Sequence, residues 1–164
     1  MVRKMKKIDI NRVADIWLKT NLKAHYFIPE QYWTSNYELV KEMMSQAEVY
    51  VYEDNKMIQG FVGLSNEYIE GIFVSNEMQS CGIGKLLLDY IKNKKVILRL
   101  NVYQKNTRAL SFYQREGFNI QCCGSRNRKR FWGEFPWILP IWYCFFALKK
   151  QALLQVKISV LTVV

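Results

Sequence analysis

From Ile72 to Lys85 the chain reads Ile-Phe-Val-Ser-Asn-Glu-Met-Gln-Ser-Cys-Gly-Ile-Gly-Lys, apolar and strand-like at first, then turning through two glycines into a helical pattern. Such a turn is suited to holding an anion. Gly82 and Gly84 permit unusual φ values and carry no Cβ to keep a phosphate away, while the first-turn amides and dipole of the following helix point at the ligand. The same residues also fit an ordinary strand-to-helix turn. Leu87 stands where a dinucleotide fingerprint needs a third glycine or alanine, and Gln79 and Leu86 stand where a Walker loop needs glycine and Ser or Thr. Cys81 precedes the helix N-terminus, a place that lowers a thiol pKa, but no histidine motif accompanies it. We read it as a small space-filling residue. Cys81, Cys122, Cys123 and Cys144 contain no C-x-x-C, and His25, the single histidine, completes no zinc set with them, so no metal is expected.

Three further side chains could move protons. Glu70 lies on the strand leading into the turn, where strict alternation places it on one face with Ile72 and Val74, and Ile69, Gly71 and Phe73 on the other. A carboxylate beside two aliphatic residues is partly desolvated and its pKa rises, as a general base requires. A solvated strand carboxylate is the other reading. His25 titrates near neutrality and fits either a reactive role or an ordinary loop. Tyr113 lies on an apolar helix face, which by itself describes a core aromatic.

The elements that must position these residues follow from periodicity. Ile10, Val13, Ala14, Trp17, Leu18 and Leu22 predict a helix over roughly 9–20. Ser35-x-x-Glu38 predicts a capping box opening a second helix ahead of Leu39, Val40, Met43 and Met44. Val49–Glu53 and Met57–Leu64 flank Asp54-Asn55-Lys56 and predict an antiparallel hairpin, and Tyr68–Val74 a third strand. A helix from Gly84 places Ile83, Leu86, Leu87, Tyr90 and Ile91 inward, followed by a strand over 96–102. Asn106 predicts the cap of a helix running to Arg115, stopped by Gly117 in a left-handed conformation. The order implies an α/β or α+β domain with a mixed sheet.

Two strings in this order carry a resemblance. Gln79-x-x-Gly82-x-Gly84 is similar to the Q/R-x-x-G-x-G/A signature of the GNAT acetyltransferase superfamily. Asn106, Ala109, Phe112-Tyr113 and Gly117-Phe118 resemble its second signature, N-x-x-A-x-x-F-Y-x-x-x-G-F. The resemblance covers about residues 1–120, and His25-Tyr26-Phe27 with Ile72-Phe73-Val74 resemble small bacterial single-domain members.

The resemblance implies a mostly antiparallel central sheet with flanking helices and acetyl-coenzyme A in a cleft between the two central strands. It implies cofactor contacts from Ile72, Phe73, Val74, Gln79, Ser80, Cys81, Gly82, Ile83, Gly84, Lys85, Asn101, Asn106 and Phe112. Asn106 also has a sufficient explanation as a helix cap. An alkylamine is mostly protonated at pH 7 and only its neutral form attacks a thioester, so a proton route is needed. The resemblance gives Glu70 as base, Tyr113 as the acid that protonates the leaving thiolate, backbone amides near Phe73 and Val74 as oxyanion donors, and His25 and Tyr26 as acceptor contacts. Ser80 and Gln79 depart from the family's commoner glycine and arginine, with Lys85, Lys105 and Arg108 available to compensate in charge. The implied reaction is direct acetyl transfer, in a ternary complex, to a primary amine of a small molecule, peptide or protein.

Composition bounds the rest. The 164 residues, 19.5 kDa, are half apolar with 3 prolines, which excludes disorder and Pro-rich architectures. The net charge of +10 invites an anionic partner, and it is uneven: residues 1–120 carry 17 basic and 13 acidic side chains, residues 121–164 carry 7 and 1. No secretory signal follows the basic Met1–Lys7 segment, and unpaired cysteines point to a cytoplasmic protein. We therefore divide the chain into an acetyltransferase-like domain over 1–122 and an atypical basic, aromatic segment over 123–164, a departure such as a reading-frame change near Cys122 would produce. Arg126, Arg128, Lys129, Arg130, Trp132 and Trp137 in that segment support an alternative: a catalytically degenerate body whose tail binds a membrane surface or nucleic acid. The uncharged stretch over 135–148 is too short and too proline-broken for a membrane span. Residues 151–164 are expected to supply a strand, including 156–164, and a homodimer is one of the expected assemblies.

Overall fold

The computed structural model describes residues 1–103, 105–123 and 155–161. Among them, residues 1–100 with the end of the last strand form one compact unit, and those following Leu100, up to Ser159, form a second.

The first unit begins with β1 (Val2–Lys4), a short 3-10 turn (Lys7–Asp9) and α1 (Ile10–Ala24). Asp9 organises this start. Its carboxylate accepts the Lys6 amide at 2.7 Å and two bonds from Arg3, at 2.7 and 3.1 Å, while Arg3 Nε donates to Glu53. The Arg3 bonds are the leading cause holding the Asp9 carboxyl below its ordinary pKa. α1 buries Val13, Ala14, Ile16 and Trp17, as the i, i+3, i+4 pattern predicts, and ends at Ala24, four residues beyond the expected helix end at 20, with His25 as its C-cap.

The next two helices differ from expectation. α2 (Glu30–Ser35) was not signalled, and α3 (Tyr37–Met44) starts after Asn36. The Ser35–Glu38 capping box does not form, because the chain is still helical at Ser35 and its hydroxyl donates to the Gln31 carbonyl within α2. A bond from Tyr37 Oη to Asp15 Oδ1, 2.5 Å long, ties α3 to α1; burial and that partner push the tyrosine pKa up to about 12.

β2 (Glu48–Asp54), β3 (Met57–Ser65) and β4 (Tyr68–Val74) form the expected meander. Asn55 and Lys56 have φ of 47° and 62°, the paired positive values of a two-residue hairpin turn that preserves strand twist. β1 pairs with β2, β2 with β3 and β3 with β4, all antiparallel, and β5 (Ile97–Tyr103) joins β4 in parallel through Tyr68–Arg99 and Ile69–Leu100. The five strands make the mixed, mostly antiparallel sheet that was expected.

α4 (Ile83–Lys92) packs Ile83, Leu87, Leu88 and Ile91 onto this sheet, with Leu86 half exposed rather than inward. Fully burying one such aliphatic side chain contributes about 1.5–3 kcal/mol. Gly60 makes the approach of α4 possible: a Cβ there would lie 2.9 Å from the Phe73 carbonyl oxygen and 3.1 Å from Ile83 Cγ2. The other face carries Val49, Val51 and Phe61, all buried, and is covered by α1, which touches β3 and β4.

In the second unit, α5 (Thr107–Arg115) starts at Asn106, whose Oδ1 accepts the Ala109 amide at 3.1 Å. Gly117 follows the helix with φ of +89°. β6 (Asn119–Cys123) pairs antiparallel with β7 (Gln155–Leu161), so the strand expected near the chain's end is present. No helix among the described residues is long and apolar enough to cross a membrane.

Candidate active site

The β3–β4 register corrects the expected alternation. Gly63 pairs with Gly71 but Leu64 pairs with Ile69, so Glu70 is the extra residue of a β-bulge. The bulge turns Glu70 away from Ile72 and Val74. Those two share a face with Ile69, opposite Val62, Gly60 and Leu64, whereas the Cβ of Glu70 lies 3.8 Å from where a Gly63 side chain would begin, on the face of Phe61 and Phe73. A period of exactly two assumed an unbroken strand, and one inserted residue reverses everything before it.

Beyond Ile69 the β4 backbone keeps its β3 partners through Gly71, Ile72, Phe73 and Val74, while its register with β5 covers only Tyr68 and Ile69. Phe73 stacks on Phe61, with ring centroids 4.8 Å apart at 19°, and lies back over Gly71.

β4 hands over to the turn through Ser75, which is buried and bonded to Gln59 by its amide at 2.8 Å and by its hydroxyl at 3.0 Å. Gln79 folds inward, donating to the Val74 carbonyl at 3.3 Å and to Asn76 Oδ1 at 3.2 Å, so it braces the turn. Ser80 and Gly82 have φ of 66° and 81°, and Gly82 is the residue that opens α4. Having no side chain, it cannot cap its own helix. The first-turn amides of α4 point out of this end of the helix, the orientation in which an anion is held. Lys85 pairs with Asp89 at 3.1 Å on the exposed face of α4. Cys81 is exposed, which corrects the expectation of a space-filling role: the Ser80–Gly82 turn lifts it off the surface.

His25 and Tyr26 follow α1. His25 is 8% exposed and stacks on Trp33 at 5.5 Å and 26°, and Trp33 meets Trp17 edge-on at 5.6 Å. Tyr26, adjacent in sequence, is 83% exposed. The structure thus separates the pair into a buried aromatic anchor and an exposed ring. The Trp33 partner was not foreseen; Trp17 and Trp33, two large aromatics flanking the histidine, were the only signal for it.

In the second unit Tyr113 is 6% exposed between Phe112 at 5.1 Å and Phe118 at 5.4 Å. Burial drives its phenol pKa above the ordinary value, so it remains a proton donor across the neutral range. Asn106 is engaged as the α5 cap, and Asn101 is half-buried on β5. No His, Cys, Asp and Glu cluster suited to a metal is present among the described residues. The basic cluster at Arg126, Arg128, Lys129 and Arg130, with Trp132, Trp137 and the stretch over 135–148, lies outside the described residues.

A strand whose register with β5 among the described residues covers only Tyr68 and Ile69, running into the helix opened by Gly82, fits the amide-rich arm and the phosphate-bearing end of a coenzyme A thioester. Comparison with known proteins agrees with that geometry. Residues 45–120 match the family model described as an acetyltransferase (GNAT) domain. The chain is similar to the peptidyl-lysine N-acetyltransferase YiaC of Escherichia coli K12, at 30% identity over 144 residues, 87% of this chain and 93% of the relative. Its fold resembles the solution structure of apo YjaB from Escherichia coli, with a TM-score of 0.73 at 18% identity over 97% and 95% of the two chains. It also resembles the PaiA N-acetyltransferase of Thermoplasma acidophilum, solved in complex with coenzyme A, with a TM-score of 0.69 at 14% identity over 97% and 96%.

Proposed function

This chain belongs to the GNAT acetyltransferase family, and from that premise we propose that it transfers the acetyl group of acetyl-coenzyme A to the ε-amine of a lysine side chain in a peptide or protein. The observation that carries the reading is the conjunction of the Gly82-opened α4 with the bulged strand β4 that leads into it. The lysine acceptor is supported by the activity for which the 30% identical relative is named.

When bound, acetyl-coenzyme A supplies an acyl group activated as a thioester. The first-turn amides of α4 hold its phosphates and the β4 backbone aligns the arm, with Ile72, Phe73 and Val74 contributing amide and carbonyl groups. Glu70 takes up the proton that the amine must lose before it can attack, directly or through water. Amides near Phe73 and Val74 donate to the oxygen on which negative charge grows. For the departing sulfur the family resemblance gives Tyr113, which burial keeps protonated, as the proton donor. The exchange balances: a nitrogen–carbon bond forms as the carbon–sulfur bond breaks, the ammonium loses two protons in becoming the amide, and one proton is returned to the thiolate while the other passes through Glu70 to solvent.

The test combines binding and product. At about 100 times Kd, acetyl-coenzyme A stabilises a protein by about 2.7 kcal/mol, read as a rise in Tm that adenosine and salt-matched anions do not reproduce. Mass spectrometry then follows a gain of one acetyl group on a lysine peptide. A folded chain with no such rise and no acetylated product would overturn the proposal.

A further inference from the structure

The β3–β4 ladder places Gly63 directly opposite Gly71. At that level neither strand contributes a side chain to the face shared with Phe61 and Phe73. Glycine inside a strand weakens it; the Phe73 ring occupies the space over Gly71, so the space that calls for a function is the one at Gly63. The space is real at Gly63. Among the described residues, only Glu70 Cβ comes within 4 Å of where its side chain would begin, at 3.8 Å.

The notch has unlike sides. The Phe73 ring lies across Gly71, 2.4 Å from where a Cβ would stand, and is held there by stacking on Phe61. The bulge supplies Glu70 to the same face. The notch is also open: Val51 and Phe61 beneath α1 are 0% and 2% exposed, whereas Gly63, Glu70, Gly71 and Phe73 are only half-buried.

We infer that this glycine pair forms the slot for the acceptor's side chain, and that its width selects an unbranched alkylamine, the side chain of lysine. The inference rests on the acetyl transfer proposed above. A backbone-floored groove one missing side chain wide excludes branched and ring-bearing chains. It accepts a run of methylene groups, whose apolar stem packs on the Phe73 ring while the amine reaches the carboxylate that Glu70 brings to the same face.

Gly63→Ala and Gly63→Val test the slot in the full chain, because a Cβ at this position meets only an ordinary van der Waals contact. Both variants are expected to keep the Tm rise caused by acetyl-coenzyme A. With a lysine peptide, Gly63→Ala raises KM at least tenfold while kcat changes less than twofold, and Gly63→Val abolishes measurable acetylation. An unchanged KM overturns the slot. So does a fall in kcat at constant KM, which locates the effect at the reacting centre, or loss of the Tm rise, which locates it in the fold or the cofactor site. A wild-type chain that shows the Tm rise but acetylates no lysine peptide overturns the lysine acceptor itself, before any variant is made.

Discussion

Arg3 grips Asp9 with two bonds from one guanidinium, Nη1 to Oδ2 at 2.7 Å and Nη2 to Oδ1 at 3.1 Å, and so fixes β1 to the entrance of α1. The Asp9 carboxyl is held below its ordinary pKa by these bonds first, and by the Lys6 amide among the further causes. Its contribution to stability is complete above the unfolded value, about pH 3.9, and disappears as pH falls through the lower folded value. Asp9→Asn is expected to lower stability at pH 7 by about 2 kcal/mol, typical of a hydrogen bond to a charged group. It also flattens the decline of the urea midpoint between about pH 5 and pH 2. An identical acid decline in wild type and variant assigns the effect to another carboxylate.

Gly82→Ala separates conformation from space. Nothing among the described residues lies within 4 Å of the added Cβ, but φ is +81°. The left-handed position costs an alanine about 1–2 kcal/mol, so the expected outcome is a modest loss of Tm with a larger loss of acetyl-coenzyme A affinity as the turn relaxes. Isothermal titration of the variant reads the affinity; wild-type affinity alongside a lowered Tm would mean that the turn does not shape the anion site.

Asn106→Ala removes the hydroxyl-free cap of α5 and should cost about 1 kcal/mol, while Asn106→Asp, an equally good cap, should not. The Ala109 amide, protected by Asn106 Oδ1, should exchange faster only in the alanine variant. If KM for acetyl-coenzyme A rises in both variants, the Asn106 amide also serves the cofactor.

Tyr113→Phe retains the ring contacts with Phe112 and Phe118 and deletes the proton. The expected kinetic result is a fall in kcat of about 10–100-fold, the scale of general acid catalysis, with KM for acetyl-coenzyme A unchanged. Because burial holds the phenol protonated, no alkaline loss of wild-type activity up to about pH 10 should trace to this residue. Equal kcat in the two proteins would return Tyr113 to a purely packing role.

The sequence announced the elements that local rules determine. Tyr68–Val74 is a strand with those very ends, Asn55 and Lys56 turn the hairpin, and Asn106 caps α5. It did not announce what depends on a partner strand or an absent neighbour. The bulge at Glu70 is visible only against the β3 register, because residues 68–74 alone satisfy an unbroken period of two. Ser35 misled for a related reason: a serine three residues before a glutamate caps a helix only if the chain has left the previous one, and α2 had not ended. His25 was singled out for its titration, yet its place follows from stacking on Trp33, a contact between helices.

Two glycines of β3, three residues apart, carry opposite obligations. Gly60 is pressed between the Phe73 carbonyl and the side chains of α4, so it answers to assembly of the fold, whereas the space beside Gly63 belongs to no residue of the unit's own core. A library of β3 variants sorted separately for soluble abundance and for acetylation should therefore lose position 60 in both selections and position 63 in the second alone. Conservation scores, which add the two pressures together, would rank the positions as equals.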